Sequence, residues 1–321
     1  MLKAASYLLQ AITIVALLCA SVIRAKTPTR SVQAVPAALR AGLQVAAIDW
    51  IDDAWAWKWN MAVERKDSVH QTFRVAPLAG ARAIRVENIF GSIEVTGGDG
   101  DGVQMDVDKI FHAESNEALE RAQKEVILDV KQDPGLLGIE VKHLSRCAFT
   151  DCWRFDRPPY VVEMNFRLSV PRDSDLILRT IQGRSVRVRD VTGTFSISNV
   201  NGGVTMDDVA GSGTARTING PIKVSFQENP RGDSRFASVN GGVDLYFAKN
   251  LSADFRFRTF GGNVYSDFPV LAAPLTPVEE RRGAVWYFRT NSFAEGRVGA
   301  GGPVIRVESL HGDVRILEKH D

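Results

Sequence analysis

Little in this chain offers reactive chemistry. Its 321 residues hold three cysteines and five histidines, and the formal net charge is +1. Two cysteines without a second pair or paired histidines do not make a zinc site, and His70, His112, His143, His311 and His320 are scattered without ligand spacing. No Gly-x-Ser-x-Gly elbow, phosphate-binding loop, dinucleotide fingerprint or calcium-binding nonapeptide occurs, so no metal or cofactor is expected. The near-neutral charge and the lack of zinc-finger, RNP or basic-helix motifs exclude a nucleic-acid binder.

The N-terminus reads as an export signal. Lys3 supplies a positive start, Ala11–Ala20 an apolar stretch, and Arg24-Ala25 a small residue for cleavage. Removing residues 1–25 takes two bases and no acid, bringing the charge from +1 to −1. Residues 4–23 are also apolar enough to serve as an uncleaved membrane anchor. Leu18 before Cys19 argues against lipidation. Either way the body lies outside the cytoplasm, in the periplasm or at the cell surface. In an oxidising compartment Cys147 and Cys152 are close enough in sequence to close a disulfide loop.

Internal repetition organises the rest. Glycines align in NIFGSIEV, TIQGRSVRV, DVTGTFSI, NVNGGVTM, DVAGSGTA, TINGPIKV, SVNGGVDLYF, TFGGNVYS and SLHGDVRI, at Gly91, Gly183, Gly193, Gly202, Gly211, Gly220, Gly241, Gly262 and Gly312. Two positions before each stands an apolar residue, among them Val200, Ile218, Val239, Phe260 and Leu310. Apolar residues return two and four positions after most, as in Val204/Met206, Ile222/Val224 and Val243/Leu245, while Gly262 keeps only Val264. A period of two is the signature of a strand with one buried face. A glycine in phase with the inward residues marks a bend where a Cβ would intrude. Corners every nine or ten residues from Gly183 to Gly220, then every 21 to Gly262, predict coils of roughly 18–21 residues. The fold class is therefore all-β, a β-solenoid of right-handed β-helix type with one short helix; the alternative is a β-sandwich.

Around the repeats, residues 26–71 form a tether carrying Trp50, Trp55, Trp57 and Trp59, which pack over the first coil or form a sugar-stacking or membrane-interface surface. Residues 72–145 read as a β unit with one helix capped by Ser115, then a hairpin at Asp133-Pro134-Gly135. Residues 146–160 form a Cys-bridged aromatic excursion, with Phe149, Trp153, Phe155 and Tyr160 as the candidate recognition surface. Residues 161–321 carry the repeats, with a second excursion at 269–283. Arg231-Gly232-Asp233 reads as a loop between coils.

The segments IRVENIFGSIEVTGG, VPRDSDLILRTIQG, SNVNGGVTMDDVAGSGTARTINGPIKV, FASVNGGVDLYF and GGPVIRVESLHGDVRILEK resemble the bacterial putative-adhesin family of exported β-solenoid domains, over roughly residues 72–321. The resemblance implies export and a β-helix-like fold, and it carries over no catalytic residues. A glycan-active enzyme on such a fold would need carboxylates gathered on one face, and Asp207, Asp208, Asp244 and Asp267 are the acids that could serve. The expectation is a non-catalytic binding or scaffold protein of the envelope, with an envelope protein or polysaccharide as partner. A structural or stress-related role at the membrane, with anchoring through residues 4–23, is the other reading.

Overall fold

Two large sheets face each other across a single hydrophobic core, and almost every strand contributes alternate residues to it. The computed structural model describes residues 61–78, 81–143, 158–272, 278–282, 285–289 and 294–320. These lie in one compact unit, Lys58–Asp321. The export signal, the Trp cluster, the Cys147–Cys152 pair and Phe149, Trp153 and Phe155 lie outside the described residues.

The repeats deliver one strand to each sheet. Asp175–Thr180, Phe195–Asn201, Gly213–Asn219 and Ser234–Asn240 lie side by side in the eleven-stranded sheet. Ser185–Arg189, Gly203–Val209, Ile222–Phe226 and Val243–Phe247 do the same in the ten-stranded sheet. Successive repeats pair in parallel, with Phe195 opposite Gly213 and Thr214 opposite Arg235, steps of 18 and 21 residues. Antiparallel strands join the N-terminal side of each sheet, so both are mixed. Val63–Arg74, Gly102–Ala113 and Tyr160–Pro171 run antiparallel at one edge of the ten-stranded sheet, hereafter the first sheet, the eleven-stranded one being the second. Val126–Asp133 and Leu136–His143 form the hairpin predicted at Asp133-Pro134-Gly135 at an edge of the second.

The helix Asn116–Glu125 sits between these groups. Its N-cap Ser115 accepts a hydrogen bond from the Ala118 N–H, and Ala118 and Ala122 are its buried residues.

Inward residues follow the period of two. Val204/Met206, Ile222/Val224, Val243/Leu245 and Val314/Ile316 are all at most 1% exposed. From the opposite sheet Phe236 and Phe255 meet Phe226 and Phe247; Phe226 stacks on Phe247 at 5.0 Å, and Phe255 packs edge-on to Phe247 at 6.0 Å.

The corners correct one sequence expectation. The apolar residue two before the glycine does not face the core: Ile181, Val200, Ile218, Val239 and Leu310 are only partly buried and Phe260 is 85% exposed. The inward position is the polar residue before it. Thr180, Asn199, Thr217, Ser238 and Ser309 are buried. All four of these hydroxyls donate to a corner glycine carbonyl of an adjoining strand: Thr180 to Gly91 at 3.5 Å, Thr217 to Gly202 at 2.8 Å, Ser238 to Gly220 at 2.9 Å and Ser309 to Gly241 at 3.0 Å. A buried carbonyl at a bend has no ladder partner, and these hydroxyls satisfy it. Alongside runs an amide ladder: Asn201 donates to Gln182 at 2.9 Å, Asn219 to Asn201 at 2.7 Å and Asn240 to Asn219 at 2.7 Å. In the other set of corners the expectation holds, since Val191 and Val209 before Gly193 and Gly211 are 2% and 1% exposed.

The corner glycines stack on one another. A Cβ at Gly312, which has φ +153°, would stand 2.6 Å from the backbone carbon and oxygen of Gly241, and one at Gly262 would meet the Gly312 carbonyl. Bulk is excluded here by close approach of backbone to backbone.

Stacking order and chain order part company at the C-terminal end. Ser234–Asn240 pairs with Val304–His311, and Val304–His311 with Ala253–Thr259. Likewise Val314–Glu318 lies between Val243–Phe247 and Val264–Ser266. The last repeat is therefore inserted between two that precede it. Val264, expected inward, sits instead on a three-residue edge strand and is 41% exposed. An antiparallel hairpin of Val278–Arg282 and Val285–Arg289 begins within the second excursion and runs past its expected end at residue 283.

Candidate functional site

Each sheet turns one face outward, and cross-strand pairing lays its side chains in rows. On the first sheet one row reads His70, Asp106, Arg167, Glu94, Arg187, Thr205, Lys223, Asp244, Arg315 and Tyr265, each opposite the next. Signs alternate along most of it, and the charges neutralise one another. His70 Nδ1 lies 2.6 Å from Asp106, Arg167 is 2.8 Å from Asp108, Arg187 3.5 Å from Glu94 and Arg315 3.5 Å from Asp244. The Lys223 ammonium sits 5.2 Å from the centre of the Tyr246 ring. Opposite-charge cross-strand pairs stabilise a sheet modestly, and a surface so paired presents little net field.

The second sheet is different. Register places Thr214, Arg235, Arg306 and Arg256 in one row, and Arg216, Ala237, Glu308 and Arg258 in the next. Arginines directly opposite one another repel unless something compensates. Glu308 lies 2.6 Å from Arg235, Glu295 3.2 Å from Arg256, and Asp254 2.6 Å from Arg297 at the far edge. Along these strands arginines 216, 235, 256, 258, 297 and 306 thus share the face with three acids. Arg216 has no ion-pair partner among the described residues, and its guanidinium is held below the ordinary value, by desolvation first and by the Arg235 charge second. Next to these rows runs the partly buried line Ile218, Val239 and Leu310. A cleft of 210 Å³ opens at the start of the same strands, lined by Gly213, Thr214, Ser234, Arg235, Val304 and Arg306 together with Asp233. Asp233 is already engaged, accepting a hydrogen bond from the Val304 N–H at 2.8 Å.

The acids considered for catalysis do not meet. Asp207 lies 3.7 Å from Arg189, Asp208 2.6 Å from Lys319, and Asp244 3.5 Å from Arg315, while Asp267 accepts from the Glu318 N–H at 3.0 Å. Asp208 also occupies a β-bulge, with φ 54°. Register puts Asp207 opposite Arg189 and Asp244 opposite Lys223, so the two acids are not neighbours. Among the described residues no group of three or more His, Cys, Asp or Glu could hold a metal ion.

Tyr160, the one proposed recognition residue that is described, faces inward and is 3% exposed. Its hydroxyl donates to Glu125 and lies 3.0 Å from His143 Nε2, whose ring stacks on it at 5.8 Å. It is an anchor at the root of the first excursion. Burial, then the Glu125 carboxylate, raises the Tyr160 phenol; the Tyr160 hydrogen bond lowers Glu125; burial lowers His143. Arg231-Gly232-Asp233 lies in a connection between strands, with Arg231 2.9 Å from Glu228.

The arginine rows were not singled out in the sequence, although the signal was present. Counting back four residues from the corner glycine gives Arg216 and Arg258, and counting back six gives Arg235, Arg256 and Arg306. Only parallel in-register pairing turns those offsets into adjacent rows.

No family model matches the chain, and no curated protein does. Solved structures are similar to it, among them three at 9% identity each. A putative cell adhesion protein from Clostridium sporogenes covers 79% of this chain and 100% of its own, with a TM-score of 0.38. A putative lipid binding protein and a putative adhesin, both from Parabacteroides distasonis, each cover 78% of this chain and 97% of their own, with TM-scores of 0.26 and 0.22. Likenesses this low assign no function to the chain.

Proposed function

We propose that this chain is a non-catalytic envelope protein, adhesin-like in the sense of binding or scaffolding, whose repeats wind as coils of a β-solenoid and offer flat outer faces to a partner or polymer. Parallel pairing of successive repeats in both sheets supports the winding, since a sandwich built from hairpins pairs its neighbours antiparallel. The observation that supports the non-catalytic reading is that Asp207, Asp208, Asp244 and Asp267 do not gather, each engaging a different group: Arg189, Lys319, Arg315 and the Glu318 N–H. General acid–base chemistry on a glycan needs two carboxylates flanking one bond.

Incubation of the full chain with a panel of envelope polysaccharides, followed by assay of reducing ends and unsaturated products, tests the first part. Retention without new chain ends is the expected result, and release of ends overturns it. Excising residues 203–220, which joins Gly202 to Pro221 and removes one strand from each sheet, tests the second. A solenoid closes up by one coil and still unfolds cooperatively, whereas a sandwich loses its topology. Fractionation of the native host, with N-terminal sequencing of the exported material, decides between cleavage near residue 25 and anchoring through residues 4–23.

A further inference from the structure

We infer that the free edge of the strand Val264–Ser266, at the C-terminal end of the stack, takes up an extended, uncharged strand from another envelope protein. This docking edge is separate from the outer faces invoked above and stands or falls without them. Backbone pairing is the first argument. The Val314 N–H donates to the Asn263 carbonyl at 2.9 Å, and the Asp267 N–H to the Ile316 carbonyl at 2.9 Å. In a parallel ladder alternate residues address the same neighbour, so Asn263, Tyr265 and Asp267 face Val314–Glu318. Val264 and Ser266 therefore turn their N–H and C=O groups to the other side, where no described strand lies, and all three residues of the strand are exposed. Two donors and two acceptors at ladder spacing match the backbone of one more strand.

Charge and space choose the occupant. At the opposite end of the stack the edge strand Val63–Arg74 carries Lys66, Asp67 and Arg74, and the edge strand Val126–Asp133 carries Lys131 and Asp133. Charges on an edge guard it against added strands. Val264–Ser266 and Leu271–Ala272, the edges at this end, carry none. Of the five large apolar side chains left exposed among the described residues, Phe260, Val264, Tyr265 and Leu271 lie here, so the complementary partner is uncharged and partly apolar. The first sheet also stops short at this end. Beyond the repeat that holds Ala253–Thr259 and Val264–Ser266 only the second sheet continues, through Ala294–Val298 and Leu271–Ala272. That difference leaves a step beside Val264–Ser266 about one or two strand spacings wide, roughly 4.8 Å each. An antiparallel join of two such edges has its two-fold axis normal to the sheet, which drives the two longer second sheets into each other. A lone strand meets no such obstacle, so a second copy is not the occupant.

The experiment uses the full chain and fluorescence anisotropy of short capped peptides. One alternates valine and threonine, a second is the same peptide N-methylated throughout, and a third has lysine in place of threonine. A contact this small belongs to the weak class, so micromolar binding of the first peptide is expected, with the other two held far less. Val264→Pro removes the outward N–H while leaving the bonds of Asn263 and Tyr265 to Val314–Glu318 in place, and should weaken binding roughly tenfold. Val264→Lys sets a charge on the edge and should do the same, whereas Val264→Thr keeps the donor and should bind like the parent. Thermal midpoints identify the variants that fold. No binding of the valine–threonine peptide, equal binding of its N-methylated form, or full retention by Val264→Lys each overturns the assignment. So does self-association in sedimentation that Val264→Lys abolishes, which gives the edge to a second copy. Failure to retain polysaccharide bears on the outer faces alone.

Discussion

Replacing Gly312 by alanine adds one methyl group at a point where no neighbouring side chain can move aside. The new Cβ would stand 2.6 Å from both the carbon and the oxygen of Gly241 and 2.7 Å from the Gly242 nitrogen, all backbone atoms of the adjoining repeat. The native φ of +153° is also one that an alanine rarely adopts. Overpacking costs about 1–3 kcal/mol, and an unfavourable backbone region a similar amount, so Gly312→Ala should destabilise by about 3 kcal/mol. For a domain of this size that is a fall of roughly 6–12 °C in melting temperature. Gly100→Ala is the matched control, because a Cβ there meets nothing within 4 Å. Calorimetry and urea titration of both variants against the parent give the comparison. Should Gly312→Ala and Gly100→Ala melt together within a degree or two, the close stacking of corner glycines is refuted.

Four further outcomes are expected. Val243→Asp places a carboxylate at a site that is 0% exposed between Ile222 and Val314, and should lose at least about 4 kcal/mol, visible as failure to recover folded protein or as a collapsed urea midpoint; near-parental stability would contradict the inward packing. Because the folded Tyr160 phenol is raised above its ordinary value of 10.0, its contribution is complete below pH 10 and declines as the pH climbs above that value; Tyr160→Phe should lose about 1–2 kcal/mol at neutral pH and show a flatter alkaline limb in pH-dependent melts. Truncation after residue 303 should abolish cooperative unfolding, whereas Val264→Ser on the exposed edge strand should shift the midpoint by less than about 0.5 kcal/mol, measured by urea titration.

Much of the core was legible because period two survives any stacking arrangement. Val204/Met206 and Val243/Leu245 point inward wherever their strand is placed. The apolar residue before the corner was misread because the bend changes parity. Asn199 faces in, the chain turns through Asn201-Gly202, and the next inward side chain is Val204, so Val200 falls on the outside. Nothing local distinguishes a buried Thr or Ser that donates to a glycine carbonyl from one that meets water, and only the adjoining repeat supplies that carbonyl. The inserted final repeat was hidden for a related reason. The SLHGDVRI segment carries the same corner signature as SVNGGVDLYF, and a shared signature fixes shape but leaves neighbours open. The arginine face was encoded as fixed offsets and became visible once register was known.

Val304–His311 and Val314–Glu318 fill inner slots, each matched on both sides, so a duplicate of that segment finds no free edge beside its parent and has to sit elsewhere in the stack. The same arrangement sets a schedule for a polypeptide threaded N-terminus first. The segment around residues 253–266 arrives before the strands it rests on, and it must wait with its oily side uncovered until Val304–Glu318 slides in.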